Sequence, residues 1–360
     1  MKKVSSQIKQ YTPVAIEKHW CISNKHRSKW GQNIGSPPSL FNWANDYVVS
    51  QEDANKIANP SWIIENLIIQ GHIILIPAEP NGGKTTIMFH LAGIMAQRGY
   101  RVFYVNSDIS GGDAKDMIAQ AKDDGFTLML PDMKVGKSME SVVQRLLEMS
   151  KENQRFDDVV FIFDTLKKII NVINKKHAKL LFSILRKLSA KGMTVILLAH
   201  TNKYNDADDK PIYEGTGDMR SDVDELIYFV PQKNDDGSMT VSTDPDKIRG
   251  DFTTISFNID SQRNVTQLTV PVNTIEAKRV SEQRRKDEPI ITSINNALLN
   301  NSKSQKAIIE YCNDGGVGER RVKSVLKHYL LTNNSEPGNK IWKRISGDKN
   351  SYEYSIIDPP

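Results

Sequence analysis

The stretch GHIILIPAEPNGGKTTIMFHLAGIMAQ, residues 71–97, decides the fold of this 360-residue chain. It begins with a short apolar run, passes through a loop of small residues and ends in a helical pattern. A strand that leads through a glycine-containing loop into a helix is typical of a βα unit in a parallel sheet. The start of such a helix favours an anion, because unpaired backbone N–H groups converge there. We therefore expect a phosphate site at this loop.

The loop matches the P-loop pattern GxxxxGK[ST], with alanine in the first glycine position. Glycines let the backbone approach phosphate oxygens, the lysine neutralises the β and γ phosphates, and the threonine hydroxyl holds Mg²⁺. A chance glycine-rich turn is the alternative, and the strand and helix on either side argue against it. ATP and Mg²⁺ are thus the predicted cofactors. The predicted nucleotide-binding residues are Ala78, Glu79, Pro80, Asn81, Gly82, Gly83, Lys84, Thr85 and Thr86.

Short apolar runs alternate with amphipathic stretches from Ser61 onward. This alternation predicts an α/β domain with a mostly parallel sheet. Later runs predict extra strands at one sheet edge. The helical stripes lie at Val142, Val143, Leu146 and Leu147, and at Leu180, Leu181, Ile184, Leu185 and Leu188. The predicted strands are HIILIPA (72–78), RVFYVNSD (101–108), DVVFIFD (158–164) and MTVILLAH (193–200), followed at the edge by ELIYFV (225–230), SMTVST (238–243) and TTISFNI (253–259).

Three of these strands end in a polar side chain that could serve the nucleotide. Asp164 follows a buried run and could reach a magnesium-bound water beside Thr85. His200 could hydrogen-bond the γ-phosphate and report its loss to the loop that follows. The alternatives are a structural strand-end aspartate and a hydrogen-bonded strand-end histidine. Asp108 ends a third strand, where a helix-capping role is the alternative to a catalytic one.

The segment DKIRGDF, residues 246–252, places two cations at alternate positions of an extended strand. Lys247 and Arg249 would therefore project from the same face of a sheet edge. Cations in that position could stabilise transition-state charge on the γ-phosphate of a neighbouring subunit. A solvated edge strand, whose charges prevent it from pairing with another chain, is an equal alternative.

Taken in order, these motifs resemble those of RecA-like ring ATPases. The segments AEPNGGKT, FIFDT, AHTNK, EGTGDMRSDVDE and KIRGD look like those of the RepA-like replicative helicases of plasmids and other mobile elements, and more distantly of DnaB-type helicases. The resemblance covers residues 60–260. It implies an ATP site between subunits, which Arg249 and Lys247 complete from the neighbour.

The same resemblance implies a water-polarising role for Asp108, where relatives usually have glutamate, and makes Glu79 a less favoured substitute. It also implies that loops after the Asp164 and His200 strands face single-stranded DNA in a central channel. Ala78 and the segments at both ends depart from the family pattern. The DNA-facing cations implied in these loops are Lys167, Lys168, Lys203 and Lys210.

Residues 290–358 have a separate pattern of two short helices, a glycine-containing turn, a basic helix and an apparent hairpin. This order predicts a winged helix, whose cations would contact the phosphates of duplex DNA. A protein contact or a ring-packing element is the alternative. The core stripe of the third helix comprises Val322, Val325, Leu326, Tyr329 and Leu330. The predicted DNA contacts are Arg320, Lys323, Lys327, Lys343 and Arg344.

Composition and charge restrict the class of protein. Charged residues make up 25% of the chain and hydrophobic residues 39%, which excludes a disordered or fibrous protein. No apolar run approaches the length of a membrane span, and no apolar segment of the kind found in signal peptides follows the basic start MKKVSSQIKQ. We therefore expect no membrane partner and a cytoplasmic location. Cys21 and Cys312 cannot form a cysteine-based zinc cluster, and we expect plain thiols. Residues 1–60 and residues 276–360 each carry a net charge of +4, and the residues between them carry −3, which gives the total of +5. Two basic ends suit contact with a polyanion.

The sequence predicts four segments: an extension (1–60), a RecA-like ATPase domain (61–275), a charged linker or exposed helix (276–289) and a winged helix (290–358). The predicted function is that of a ring-forming ATPase, a hexamer, that moves on single-stranded DNA as a replicative helicase. The alternatives are an ATP-switched DNA-binding adaptor or loader, and a recombination or defence ATPase on the same core.

Overall fold

The computed structural model describes residues 39–55, 61–109, 111–131, 133–167, 169, 175–202, 211–213, 217–332, 340–346 and 352–357. The chain forms two compact units, Met1–Ala58 and Asn59–Pro360. In the first unit, Ser39–Tyr47 form a 3₁₀ helix and Gln51–Asn55 form helix α1. Helix α1 begins after Ser50, whose hydroxyl accepts a hydrogen bond from the N–H of Asp53 at 3.0 Å.

The second unit is built on a nine-stranded sheet. Its central strands are β3 (Ile73–Ala78), β4 (Arg101–Asn106), β5 (Thr127–Met129), β6 (Val159–Asp164), β7 (Thr194–His200) and β8 (Glu225–Lys233). At one edge lie β9 (Met239–Lys247), β10 (Ser256–Ile259) and β11 (Val265–Gln267). A separate hairpin, β1 (Trp62–Ile64) and β2 (Ile68–Ile69), precedes the sheet.

The strands follow the order β11-β10-β9-β8-β3-β7-β6-β4-β5. The strands from β8 to β5 are parallel, and β9, β10 and β11 each pair antiparallel with their neighbours. The predicted mostly parallel sheet is therefore confirmed, together with the extra strands at one edge. Because β3 is completely buried, its residues read as a continuous apolar run rather than as an alternation.

Helices cover both faces of the sheet. They are α2 (Lys84–Gln97), α3 (Gly111–Asp123), α4 (Met139–Lys151), α5 (Lys175–Ala190) and the short α6 (Gly217–Asp222). Ile74 and Ile76 of β3 pack in the cluster that contains α2, whereas Ile73 and Leu75 pack in the cluster that contains α4 and α5. The predicted stripe of α5 is confirmed at Leu181, Ile184, Leu185 and Leu188. Leu180 is an exception, since its side chain is 46% exposed.

The predicted linker at 276–289 is a helix, as one alternative proposed. It belongs to α7 (Thr274–Leu299), which starts with a hydrogen bond from the N–H of Glu276 to the side chain of Asn273. The charges that suggested a linker are mostly solvated, but Asp287 is buried and accepts hydrogen bonds from Arg321 and Tyr329. A single helix therefore connects the sheet with the C-terminal residues.

The C-terminal module consists of the second half of α7, helices α8 (Gln305–Asp314) and α9 (Glu319–His328), and the hairpin β12 (Trp342–Ser346) and β13 (Tyr352–Ile356). These elements share one apolar cluster around Trp342. An isolated antiparallel β-bridge pairs Ser304 with Glu353 of β13, so one further residue pairs with the hairpin. The predicted core stripe of the third helix is confirmed at Val322, Val325 and Leu326 of α9. Tyr329 and Leu330 lie just beyond the end of α9 and are also buried, and Arg320, Lys323 and Lys327 are exposed.

Among the described helices, none has the length and apolar character needed to cross a bilayer. The described part of the chain also contains no group of three or more metal-ligating His, Cys, Asp or Glu residues. Cys312 is a buried free thiol, and Cys21 lies outside the described residues.

Candidate nucleotide site

The P-loop lies at the carboxyl edge of the parallel sheet. The ends of neighbouring strands come together there, because Ala78 is the register partner of His200, and Asn106 is the partner of Asp164. This is the edge at which ligands bind in open α/β sheets. Strand β7 separates β3 from β6, so the loop and Asp164 approach each other across one strand.

The loop has a backbone that only certain residues can adopt. The N–H of Gly82 donates to the carbonyl of Glu79 at 3.0 Å, and Asn81 and Gly83 both have positive φ angles. A Cβ on Gly83 would lie 2.4 Å from Ile259, so a larger residue would strain the loop and clash with β10. No side chain caps the start of α2. Its first N–H groups are therefore available for phosphate oxygens, as the sequence predicted.

Lys84 begins helix α2 and is buried. Burial lowers the pKa of its ammonium group, while the charges of Asp164 and Asp108 act in the opposite direction. A cation that has lost part of its hydration and faces carboxylates is suited to a polyanionic ligand, since phosphates would restore the interactions that burial removes.

Thr85 and Asp164 are in direct contact. The Thr85 hydroxyl donates to Oδ2 of Asp164 at 2.7 Å, and Asp164 is only 3% exposed. A hydroxyl and a carboxylate are the hard oxygen ligands that Mg²⁺ prefers, directly or through water. This pair fits the metal that accompanies a bound triphosphate, and the two predicted metal-site residues lie together.

Tyr104 is a site residue that the sequence did not reveal. Its hydroxyl donates to the same Oδ2 of Asp164 at 2.9 Å, and its ring is fully buried. Burial and then the Asp164 charge raise the pKa of Tyr104 well above its usual value, so it stays a neutral donor. The tyrosine holds the carboxylate in place from the neighbouring strand. Its position within an apolar run gave no sign of this role.

The two other strand-end residues lie beside the loop. His200 is half-buried and ends β7 opposite Ala78, and the next residue, Thr201, donates its N–H to the Ala78 carbonyl at 3.1 Å. Asp108 lies two residues beyond β4 and is exposed; its N–H donates to the Asn106 side chain at 2.9 Å. Both lie at the carboxyl edge, where the sequence placed them.

Glu79 of the P-loop binds a residue far away in sequence. Its carboxylate lies 3.0 Å from the ammonium group of Lys278 on α7. A cavity of about 400 Å³ opens beside this pair and is also lined by Pro80, Thr201 and Pro231. Nothing in the sequence pattern of α7 indicated that it reaches the P-loop.

Arg249 and Lys247 lie at the opposite, amino edge of the sheet. Arg249 pairs with Asp224 at 2.9 Å, and Asp224 accepts a hydrogen bond from the N–H of Ile73 at the start of β3. The Lys247 ammonium donates to the backbone carbonyls of Arg220, Ser221 and Val223. The prediction that Lys247 projects from the edge beside Arg249 toward a neighbouring subunit is thus wrong, because these carbonyls occupy its ammonium group.

The predicted DNA contacts fall in two places. Lys167 is exposed just after β6, whereas Lys168, Lys203 and Lys210 lie outside the described residues. In the C-terminal module, Lys323 pairs with Glu319 at 2.5 Å, and Arg344 lies over the ring of Tyr352. The remaining predicted contacts, Arg320, Lys327 and Lys343, are exposed.

One comparison, with protein-family models, agrees with the P-loop geometry. A family model described as an AAA domain matches residues 41–206. No curated protein matches the chain. Among solved structures, the chain is similar to the flagellar accessory protein FlaH from Methanocaldococcus jannaschii, with 17% identity, 62% of this chain and 98% of that chain covered, and a TM-score of 0.41. The matched family and the contacts of Lys84, Thr85 and Asp164 support a P-loop ATPase domain in this part of the chain.

Proposed function

We propose that the protein is an ATP-dependent motor that assembles into a ring, a hexamer, and moves on single-stranded DNA as a replicative helicase of the RepA-like kind. One observation carries this proposal. The P-loop and Arg249 lie at opposite ends of the same strand, β3, which is six residues long. Its ends are about 17 Å apart at the usual rise per residue of a strand. Arg249 is therefore too far from the nucleotide of its own chain to contact it, which supports a role at the nucleotide of a second copy.

In the proposed mechanism one chain binds the nucleotide. The N–H groups of the loop and the Lys84 ammonium would bind the phosphates. Thr85 and Asp164 would hold Mg²⁺, which would supply positive charge to neutralise the phosphate oxygens. Tyr104 fixes the orientation of Asp164 by the hydrogen bond at 2.9 Å. Asp108 accepts a proton from the attacking water, and His200 binds the γ-phosphate.

The neighbouring chain completes the reaction. Its Arg249 would stabilise the charge that develops on the γ-phosphate as the bond to the β-phosphate breaks. Loss of this contact after hydrolysis would release one subunit from the next. Lys167 is exposed and lies three residues after Asp164, which supports the transfer of this change to bound DNA.

The C-terminal module supports a second contact with DNA. Three packed helices, a hairpin and the Ser304–Glu353 bridge support a winged-helix fold for this module. We assign this fold to the module and duplex phosphates to its exposed cations, Arg320, Lys327 and Lys343. Helix α7 connects the module with Glu79 of the P-loop through Lys278.

One observation favours a second function. Asp108 is exposed and one methylene shorter than the glutamate usual in relatives, which would place a catalytic carboxylate farther from the attacking water. A slowly hydrolysing, ATP-switched adaptor that holds DNA is therefore the second candidate.

Two measurements separate these functions. We expect the mass in solution to rise to that of a ring when ATP and a short oligonucleotide are added, and we expect a forked duplex to be unwound. Tight ATP-dependent binding without unwinding would favour the adaptor. A chain that stays monomeric with both ligands would contradict the motor.

A further inference from the structure

Two buried carboxylates lie at the amino edge of the sheet. One is Glu225, which is 0% exposed and pairs with His72 at 2.8 Å. The other is Asp224, which is 1% exposed. It lies just before β8 and is fixed to β3, since Asp224 Oδ2 accepts from the N–H of Ile73 at 2.9 Å and the Asp224 N–H donates to the Ile73 carbonyl at 2.8 Å. A carboxylate held by two strands of a rigid sheet can position other groups accurately.

Two arginines share the Asp224 carboxylate. Arg186, on α5, donates from one guanidinium nitrogen to both Asp224 oxygens at 2.9 and 2.8 Å, and from the other to the carbonyl of Asp222 at 2.7 Å. Arg249 approaches from the segment after β9, at 2.9 Å. The side chains of Arg186 and Arg249 remain 42% and 56% exposed. Both guanidinium groups thus lie at the same carboxylate, and each keeps part of its surface exposed to solvent.

Lys247 has a different role at the same edge. An ammonium group has three donors, and three carbonyls at the end of α6 lie within 3.3 Å of it. Burial, and then the charge of Arg249, lowers the pKa of Lys247. The lysine thus fixes the end of α6 to the sheet, and its three N–H donors are already used by carbonyls rather than left for a phosphate.

We propose that Arg186, not Lys247, is the second cation that contacts the γ-phosphate of a neighbouring copy, and that Asp224 positions Arg186 and Arg249 as a pair. This inference rests on the proposed function. A guanidinium has five N–H donors in a planar fork, so an arginine that gives some of them to Asp224 keeps others for phosphate oxygens. Two such groups side by side match the several charged oxygens of a transferring phosphoryl group.

The test compares Arg186→Gln with Lys187→Gln, which removes the same charge from the next, exposed residue of α5. The readout is DNA-stimulated ATP hydrolysis by the assembled full chain. We expect Arg186→Gln to lower kcat about 10²-fold with nearly unchanged affinity for ATP, as for the loss of one transition-state donor. Lys187→Gln should behave as wild type, and Arg186→Lys should recover only part of the loss.

Mixed assemblies distinguish this role from a folding defect. Arg186→Gln subunits retain their P-loop, and Lys84→Ala subunits retain both arginines. An interface is intact when the first kind supplies the P-loop and the second kind supplies the arginines. In an equal random mixture this holds for about a quarter of the interfaces. We expect activity to return on mixing. A defect inside the Arg186→Gln subunit would not be corrected by a neighbour, and an inactive mixture would overturn the inference.

Asp224→Asn tests the positioning role, because it keeps the shape and loses the charge that attracts both arginines. We expect a fall in kcat, unchanged ATP affinity and recovery on mixing with Lys84→Ala. Wild-type kcat in Arg186→Gln, with a large loss in Arg249→Gln, would overturn this inference and leave the proposed function standing. A wild-type chain that never assembles would overturn both.

Discussion

The two edges of the parallel sheet differ in burial and in charge balance. At the carboxyl edge, Lys84 and Asp164 are buried, and the Thr85 hydroxyl binds Asp164 directly. At the amino edge, Arg186 and Arg249 share one carboxylate and remain about half exposed. The carboxyl edge is built to enclose a ligand, and the amino edge is built to present charge to another molecule. Under the proposed function, each edge is half of a catalytic site.

The largest effect is expected from Lys84→Ala, at the enclosed edge. Loss of the buried cation leaves phosphate charge and Asp164 uncompensated, so hydrolysis should fall by about 10³-fold and ATP binding should weaken as well. Kinetics and nucleotide binding measure both effects. Lys137→Ala, at an exposed lysine, is the matched control, and an equal loss there would show that the effect is not specific to the site.

At the other edge, Lys247→Met should affect folding rather than chemistry. Removing the ammonium leaves the carbonyls of Arg220, Ser221 and Val223 without their donor. We expect the free energy of unfolding to fall by about 1–3 kcal/mol, measured by thermal or urea unfolding. ATP affinity and kcat per folded chain should change little. A large loss of kcat in a variant that remains stably folded would show that Lys247 has the catalytic role predicted from the sequence.

A smaller effect is expected from Tyr104→Phe, which removes one hydrogen bond to Asp164 and keeps the ring. A neutral donor to a buried carboxylate contributes about 1.5 kcal/mol, so we expect the Mg²⁺ concentration for half-maximal activity to rise about tenfold. Activity at saturating Mg²⁺ should recover. If the Mg²⁺ dependence is unchanged, Tyr104 does not orient Asp164.

The smallest effect is expected from Lys278→Met, which breaks the contact between α7 and Glu79. The pair is partly exposed, and such pairs are worth about 0.2–1 kcal/mol, so ATP affinity should change by no more than about fivefold. Arg279→Met is the control, because Arg279 pairs with Glu276 in its own helix. Equal effects of both variants would show that the contact with the P-loop is not what matters.

Much of the carboxyl edge could be predicted from the sequence. The P-loop, Asp164 and His200 follow apolar runs of local sequence, and a parallel sheet brings the ends of such runs to one edge. Tyr104 and Lys278 could not be predicted, because their contacts depend on which strands and helices become neighbours. The sequence also could not show that Lys247 is occupied by carbonyls of α6, or that Arg186 shares Asp224 with Arg249.

The charged segment 276–289 teaches a related lesson. Its composition suggested a linker, yet it is part of α7, because Asn273 caps the start and pairs such as Arg284–Glu288 lie at helical spacing. The many charged residues of 276–289 correctly indicate that most of this segment is exposed to solvent. It does not reveal the single buried aspartate, Asp287, which binds Arg321 of α9.

The central claim is that one chain binds the triphosphate and the next chain supplies Arg249. The most direct test mixes Lys84→Ala with Arg249→Gln protein and measures DNA-stimulated ATP hydrolysis. Each variant alone should be nearly inactive, and an equal mixture should recover activity at about a quarter of its interfaces. A mixture that forms rings and stays inactive would contradict the shared site.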